Sequence, residues 1–134
     1  MASIQIPFLT EQQYLALDRA AETRSEYHDG QMFAMAGGSD IHSTIKVNLY
    51  VQFAIALRPR GCRVNDSDLR LRIRQAGSYV YPDMSVYCSE NKLSAPGTND
   101  IAENPTLIAE VLSPSTESDD RGFKFARKLL PRNR

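Results

Sequence analysis

The chain has 134 residues, the length of one domain, and its 42% hydrophobic and 24% charged residues are ordinary for a globular protein. No segment approaches the ~18 apolar residues that span a bilayer, and the N-terminus lacks the basic and apolar regions of a signal peptide. The formal net charge is zero. Cys62 and Cys88 form no CxxC pattern, so we expect neither a disulfide framework nor a cysteine-based zinc site. We therefore expect one cytoplasmic domain over residues 1–134, with reduced thiols and no membrane contact.

Basic and acidic residues cluster in different parts of the chain. Residues 58–74 hold six arginines against two aspartates, and residues 75–120 hold eight acids against one lysine. Residues 121–134 hold six basic residues and no acid. A protein that handles a polyanion with a metal ion could have such an acidic centre between basic flanks, although this charge pattern alone favours the simpler interpretation. The simpler interpretation is that these charges are only solvated faces.

Local signals divide the first half of the chain into three elements. Thr10 begins a capping box, Asp29-Gly30 is a two-residue turn signal, and Ser39 can cap a helix. These signals predict a helix over residues 11–20, a hairpin over 26–33 and a second helix from about 40 to 57. The second helix is apolar on most sides, so we expect it to be largely buried.

The second half of the chain is predicted to be mostly strands. Two segments alternate polar and apolar residues, and a third is apolar on both faces, which suits a central strand. The predicted elements are strands over residues 68–74, 79–88 and 106–112 and a helix over about 117–130. The fold class is therefore mixed α/β.

Glu110 is the unusual residue in this pattern, because it lies inside the strand that is apolar on both faces. A buried carboxylate without a partner costs several kcal/mol, so a cation, a metal ion or a raised pKa should compensate for it. Asp83 lies on the preceding strand, and strands ~4.8 Å apart can bring two carboxylates to one divalent ion. The alternative is that Glu110 pairs with an arginine from residues 70–74.

Three short segments in order carry a family resemblance: Tyr81-Pro82-Asp83, residues 110–116 and residues 120–125. Residues 24–30 and 35–42 extend it, so that it covers roughly residues 8–126. Together they resemble Uma-two, a bacterial family of candidate restriction endonucleases in the PD-(D/E)XK nuclease superfamily. The resemblance implies a restriction-endonuclease-like core of a helix, three strands and a helix, preceded here by a helix and a hairpin.

The resemblance also assigns roles to residues. Asp83 and Glu110 match the two acidic positions, and they imply a bound Mg²⁺ (or Mn²⁺) and hydrolysis of phosphodiester bonds in DNA. Leu112 stands where the superfamily motif has a lysine, and Lys124 matches a lysine that substitutes for it in this family. Lys124 would orient the attacking water or stabilise charge on the phosphate. The alternative is that Lys124 is one more cation on a basic helix face.

Two further residues are candidates for the site. Glu26 could add a carboxylate to the metal, or be an exposed strand charge. His42 could contact phosphate or a metal-bound water, or have only a capping or packing role. For nucleic-acid binding, the candidates are the arginines that share a strand face, together with one at the start of the last helix. They are Arg70, Arg72, Arg74 and Arg121.

The motif match ends near residue 126, whereas the family continues into further strands. We therefore expect the last core strand to be missing from this chain. That expectation keeps open an alternative function, a catalytically inactive remnant or nucleic-acid-binding module of the same fold. Nuclease domains of this size often pair to cut two strands, so a homodimer is a further expectation by analogy.

Overall fold

The computed structural model describes residues 8–35, 37–89 and 99–112. Within these ranges the chain forms a mixed α/β fold, as predicted. The helices are α1 (Glu11–Ala20) and α2 (Asp40–Leu57). The strands are β1 (Ser25–His28), β2 (Gln31–Ala34), β3 (Arg63–Asn65), β4 (Arg70–Ile73), β5 (Ser78–Val80), β6 (Met84–Tyr87), β7 (Ile101–Ala102) and β8 (Leu107–Ala109). The predicted helix over 117–130, with Arg121 and Lys124, lies outside the described residues.

The strands form two sheets, each with its own helix. The larger sheet has the order β2-β1-β5-β4-β7, and the smaller has the order β3-β6-β8. Tyr14 of α1 is fully buried and packs with Tyr27 and Tyr79 of the larger sheet. Leu49 and Phe53 of α2 pack against the smaller sheet. The chain therefore has two apolar clusters, and the smaller sheet with α2 is the part that carries Asp83.

The first helix and the hairpin agree with their sequence signals. Thr10 Oγ1 accepts from the Gln13 main-chain N–H at 3.1 Å, and Gln13 Oε1 accepts from the Thr10 N–H at 2.9 Å. The turn between β1 and β2 has positive φ at both central residues, 50° at Asp29 and 81° at Gly30. A two-residue turn of this kind matches the twist of the strands that it joins.

The predicted strand over residues 79–88 is wrong, because this segment forms two strands in different sheets. β5 belongs to the larger sheet and β6 to the smaller, and Tyr81-Pro82-Asp83 separates them. Pro82 has no N–H to donate to a ladder, which favours a break in pairing there. Asp83 therefore lies in the bend before β6 instead of in the middle of a strand. The strand predicted over 68–74 is the shorter β4.

The strand predicted over residues 106–112 is shorter than expected, and within the described ranges it lies at the edge of its sheet. β8 covers only Leu107–Ala109, and among the described strands it pairs with β6 alone. Leu107 is 39% exposed, and Glu110 is half-buried directly after the strand ends. Apolar residues on both faces show that a strand could be buried on both sides. They do not show how many strands pair with it.

The expectation that α2 is largely buried is wrong for the described part of the protein. No residue of α2 is buried; one side packs on the smaller sheet while Ile41 and Ile55 are about 70% exposed (71% and 69%). Apolar residues occur on all sides of α2, and this composition could not show that only one side packs on a sheet within the described residues. Among the described residues, no helix is long and apolar enough to cross a bilayer.

The expectation of reduced thiols is contradicted as well, because Cys62 and Cys88 form a disulfide. β3 pairs with β6 in antiparallel register, with Arg63 opposite Tyr87. One step further along this register puts Cys62 opposite Cys88, and their Cα atoms are 4.0 Å apart. The two cysteines are 26 positions apart and belong to no spacing motif. They meet because β3 and β6 pair in this register.

Candidate active site

Asp83 is held between two strands and a helix. β6 pairs with β8 with Met84 opposite Ala109, so one step beyond this register Asp83 and Glu110 occupy opposite positions. Opposite residues of an antiparallel pair project from the same face, with Cβ atoms ~5 Å apart. The main-chain N–H of Val111 donates to Asp83 Oδ2 at 2.7 Å. Asp83, directly before β6, and Glu110, directly after β8, therefore lie at the same end of the paired strands.

Three polar residues of α2 approach Asp83 from the other side. His42, Lys46 and Tyr50 follow one another at a spacing of four residues, which places them on one face of the helix. His42 Nε2 is 3.6 Å from Asp83 Oδ2, and Lys46 Nζ is 4.0 Å from Oδ1. The hydroxyl of Tyr50 donates to the Asp83 carbonyl at 2.6 Å. One helix face thus contacts both the carboxylate and the main chain of Asp83.

The imidazole of His42 has a specific direction. Its Nε2 lies 2.8 Å from the carbonyl oxygen of Val111, and since a carbonyl only accepts, Nε2 carries the proton in this contact. The helix cap is provided by Ser39, whose Oγ accepts from the main-chain N–H of His42. The side chain of His42 therefore faces the segment between Asp83 and Val111 and does not cap the helix.

The site is shielded from solvent without being closed. The Asp83 side chain is 14% exposed, and those of His42 and Lys46 are 17% and 21% exposed. Burial raises the pKa of the Tyr50 hydroxyl, and the negative charges of Asp66 and Asp83 raise it further. Tyr50 therefore keeps its proton and remains a donor to Asp83 at neutral pH. Coulomb interactions at such partly buried positions are stronger than in bulk water.

The donor set suits a hard divalent cation. Asp83 and Glu110 offer carboxylate oxygens, and Mg²⁺ commonly uses one or two carboxylates while it keeps several waters. In the described part of the chain, no group of three or more His, Cys, Asp or Glu side chains is arranged around one point. Asp83 and Glu110 are therefore the described carboxylates that could bind such a cation at the ends of β6 and β8.

Glu26 lies on β1 in the larger sheet, beside a histidine. Its Oε1 is 3.1 Å from Nε2 of His28, and Nδ1 of His28 is 3.2 Å from the hydroxyl of Ser78. Glu26 is opposite Phe33 in the hairpin register. These contacts place Glu26 in a buried polar group of its own sheet, whereas His42 is the weaker candidate that contacts Asp83.

The strand arginines are engaged in ion pairs within the protein. Arg70 is buried, and its guanidinium contacts Asp18 at 2.8 Å and Asp100 at 3.1 Å. Arg72 Nη2 is 2.8 Å from Glu11 Oε1, and Arg74 Nη2 is 2.9 Å from an oxygen of Glu103. Arg70 could meet a phosphate only by breaking two ion pairs. Arg74, whose side chain is half exposed, is the most accessible of the three.

Lys46 is the site residue that the sequence analysis missed. Its signal is the polar stripe of residues 42, 46 and 50 on a helix whose other positions are mostly apolar. This spacing would have linked Lys46 to His42, because residues four apart share a helix face. The stripe alone does not show which strand it meets.

Comparisons with known proteins give a family and a fold. A sequence model of the Uma2 family, described as "Putative restriction endonuclease", matches residues 11–127. The uncharacterized protein slr1290 of Synechocystis sp. is 39% identical over 123 residues, which are 92% of this chain and 63% of that protein. Another uncharacterized protein of Synechocystis sp., sll1609, is 35% identical over 117 residues, or 87% of this chain and 66% of that protein. The chain thus spans slightly less than two thirds of both relatives.

A solved structure shares the fold. The crystal structure of "a putative nuclease belonging to DUF820" from Anabaena variabilis superposes with a TM-score of 0.73 and 23% sequence identity. The match covers 90% of this chain and 68% of that one. At this level of identity the likeness concerns the fold, and it confirms the predicted mixed α/β class.

Proposed function

The chain belongs to the Uma2 family, and from that membership and the site around Asp83 we propose that it is a metal-dependent nuclease that hydrolyses phosphodiester bonds in DNA. The observation that carries the proposal is the pairing of Asp83 with the segment of Glu110 and Val111. Two carboxylates from neighbouring strands, flanked by a lysine and a histidine, form a site that can hold a metal and receive a phosphate.

The side chains of Asp83 and Glu110 would hold Mg²⁺ or Mn²⁺. When bound, the ion would polarise a phosphate oxygen and lower the pKa of a bound water. The hydrogen bond from Val111 fixes one oxygen of Asp83 and leaves its other lone pairs available. The Tyr50 hydroxyl fixes the main chain of Asp83 from the opposite side. Both contacts reduce the freedom of Asp83, which lowers the entropy lost when it binds a cation.

His42 is the neighbour with a donor in the site. Its Nε2–H faces the Val111 carbonyl and lies 3.6 Å from Asp83 Oδ2, so a small movement would let it donate to a phosphate oxygen or to a water. Lys124 remains in the proposal as the group that orients the attacking water. Glu26 remains as an additional carboxylate, although its observed partner is His28.

DNA contacts are proposed for the four arginines singled out from the sequence. Arg74 and Arg121 are the first candidates, and Arg72 could contribute if its ion pairs open. Arg70 is the weakest candidate, because its side chain is only 5% exposed. Cleavage of both strands of a duplex would be served by two copies of the chain, each acting on one strand.

The test is nicking of supercoiled plasmid DNA with Mg²⁺ or Mn²⁺. Asp83→Asn and Glu110→Gln should each lower the rate by at least ~100-fold, because each removes a charged metal ligand with little change in volume. Asp29→Asn is the matched control: it removes an exposed carboxylate in the hairpin turn, where asparagine also accepts a positive φ. Full nicking activity in Asp83→Asn would refute the proposal, and DNA binding without cleavage at any metal concentration would favour the inactive binding module.

A further inference from the structure

Lys46 of α2 lies beside Asp83, one of the two proposed metal ligands. Its Nζ donates to the hydroxyl of Ser67 at 3.0 Å and lies 4.0 Å from Asp83 Oδ1. Within the described residues, Lys46 is the lysine or arginine that comes within 4.0 Å of Asp83. It is therefore the cation that shares the partly buried space in front of the carboxylate.

The geometry of Lys46 differs from that of a lysine clamped by a carboxylate. A direct N–H···O⁻ hydrogen bond would be about 2.8 Å long, and 4.0 Å is beyond hydrogen-bond distance. The ammonium is instead fixed by Ser67, a buried neutral hydroxyl. Ser67 thus orients Lys46 without neutralising its charge, and the ammonium stays 4.0 Å from Asp83 Oδ1.

Arg70 of β4 and Arg74, which directly follows that strand, have the opposite arrangement. The guanidinium groups of Arg70 and Arg74 lie 2.8–3.1 Å from carboxylate oxygens that neutralise them. Lys46 is held near a carboxylate but is not paired to it at contact distance. A phosphodiester oxygen carries a negative charge and could accept a hydrogen bond from the ammonium.

We propose that Lys46 binds a non-bridging oxygen of the DNA phosphate at the Asp83 site and is a catalytic residue of this chain. The proposal rests on the proposed nuclease function. Lys46 forms and breaks no covalent bond, and it keeps its proton. With Asp83 and Glu110 ionised and a divalent cation bound, Lys46 supplies the positive charge that balances the phosphate. Lys46 should therefore contribute to the affinity for DNA, measured without turnover, as well as to the rate of cleavage.

The experiment measures the affinity for a short DNA duplex in Ca²⁺, under conditions without turnover, as a function of salt. Lys46→Gln should weaken binding by about tenfold, and it should reduce the slope of log K against log salt by about one. Lys46→Arg should restore most of the affinity, because it keeps the charge. Lys92→Gln removes the same charge elsewhere in the sequence and is the control variant. Mn²⁺ affinity, measured by calorimetry without DNA, should be unchanged or higher in Lys46→Gln.

Other outcomes identify which idea fails. If Lys46→Gln binds DNA with wild-type affinity and slope while Asp83→Asn abolishes cleavage, the nuclease proposal stands and the role of Lys46 is refuted. If the wild-type protein binds no DNA, both are refuted. If Lys46→Gln does not fold, Lys46→Arg and Ser67→Ala replace it: loss of affinity in Ser67→Ala with retention in Lys46→Arg supports the proposal. Unchanged affinity in Ser67→Ala, which frees the ammonium, overturns it.

Discussion

The main-chain N–H of Val111 donates a 2.7 Å hydrogen bond to Oδ2 of Asp83, and this bond joins the segment after β8 to the bend before β6. The main-chain hydrogen bonds between β6 and β8 end at Met84 and Ala109, and directly beyond them the Asp83 side chain bonds the main chain of the segment after β8. The position of Glu110 relative to Asp83 therefore depends partly on the Asp83 side chain itself.

This bond predicts different stabilities for two variants of Asp83. Asp83→Asn keeps an oxygen acceptor for the Val111 N–H, so the free energy of unfolding should change by less than about 1 kcal/mol. Asp83→Ala leaves that donor without its partner and should cost about 1–2 kcal/mol. Urea denaturation of the two variants measures the difference. Equal free energies of unfolding for Asp83→Asn and Asp83→Ala would show that the hydrogen bond from Val111 contributes little to stability.

The buried pair of Asp18 and Arg70 predicts the largest loss of stability. Asp18 also accepts from the hydroxyls of Tyr14 and Tyr81 and from the Ser25 main-chain N–H, which connects α1 to the larger sheet. Asp18→Asn leaves a guanidinium that is only 5% exposed without its main counter-charge, so we expect a loss of about 3–5 kcal/mol.

Denaturation in urea, with circular dichroism as the signal, measures the effect of Asp18→Asn. Because Asp18 makes no contact with Asp83 among the described bonds, cleavage per folded molecule should be retained. A loss below 1 kcal/mol would contradict the prediction and would show that Asp100 alone can neutralise Arg70.

The disulfide between Cys62 and Cys88 should contribute to stability under oxidising conditions. It closes a loop with a sequence separation of 26, and cross-links of this kind typically add about 2–4 kcal/mol by restricting the unfolded chain. We expect dithiothreitol to lower the melting temperature of the native protein. The double variant Cys62→Ser, Cys88→Ser should already have the lower value and should not respond to dithiothreitol. A response of the double variant would exclude the disulfide as the cause.

The lowered pKa of Asp100 predicts that the free energy of unfolding depends on pH in the acid range. The hydrogen bond from Arg19 lowers the pKa of Asp100 below its ordinary value of 3.8, and the positive charges of Arg19 and Arg70 act in the same direction against burial. The unfolded chain therefore takes up this proton at higher pH than the folded protein does. The stabilisation is complete above the unfolded pKa and is lost as pH falls through the folded-state pKa.

Comparison of Asp100→Asn with the native protein measures this contribution. At pH 7 the variant should be less stable by at most about 1 kcal/mol, because the Asp100 side chain is 43% exposed and its ion pairs are screened. The difference should shrink as pH falls below 3.8. A difference that grows on acidification would have the wrong sign for this mechanism.

The sequence by itself determined the parts of the fold that depend on neighbours along the chain. The capping box at Thr10 needs only residues within one turn, and the Asp29-Gly30 turn needs only two residues able to adopt positive φ. Glu110 was singled out as a carboxylate among apolar residues; it lies half-buried directly after β8, and its role at the site stays a prediction. The resemblance then supplied Asp83 as its partner.

Only the tertiary structure decided which surfaces meet. Alternation along residues 79–88 could not show that β5 and β6 enter different sheets. The composition of α2 could not show that, among the described residues, one of its sides stays exposed. The same limit applies to Lys46, Arg70 and the cysteine pair, because their partners are between 21 and 52 positions away. Charge and hydropathy show that a side chain requires a partner, whereas strand register and helix packing select the partner.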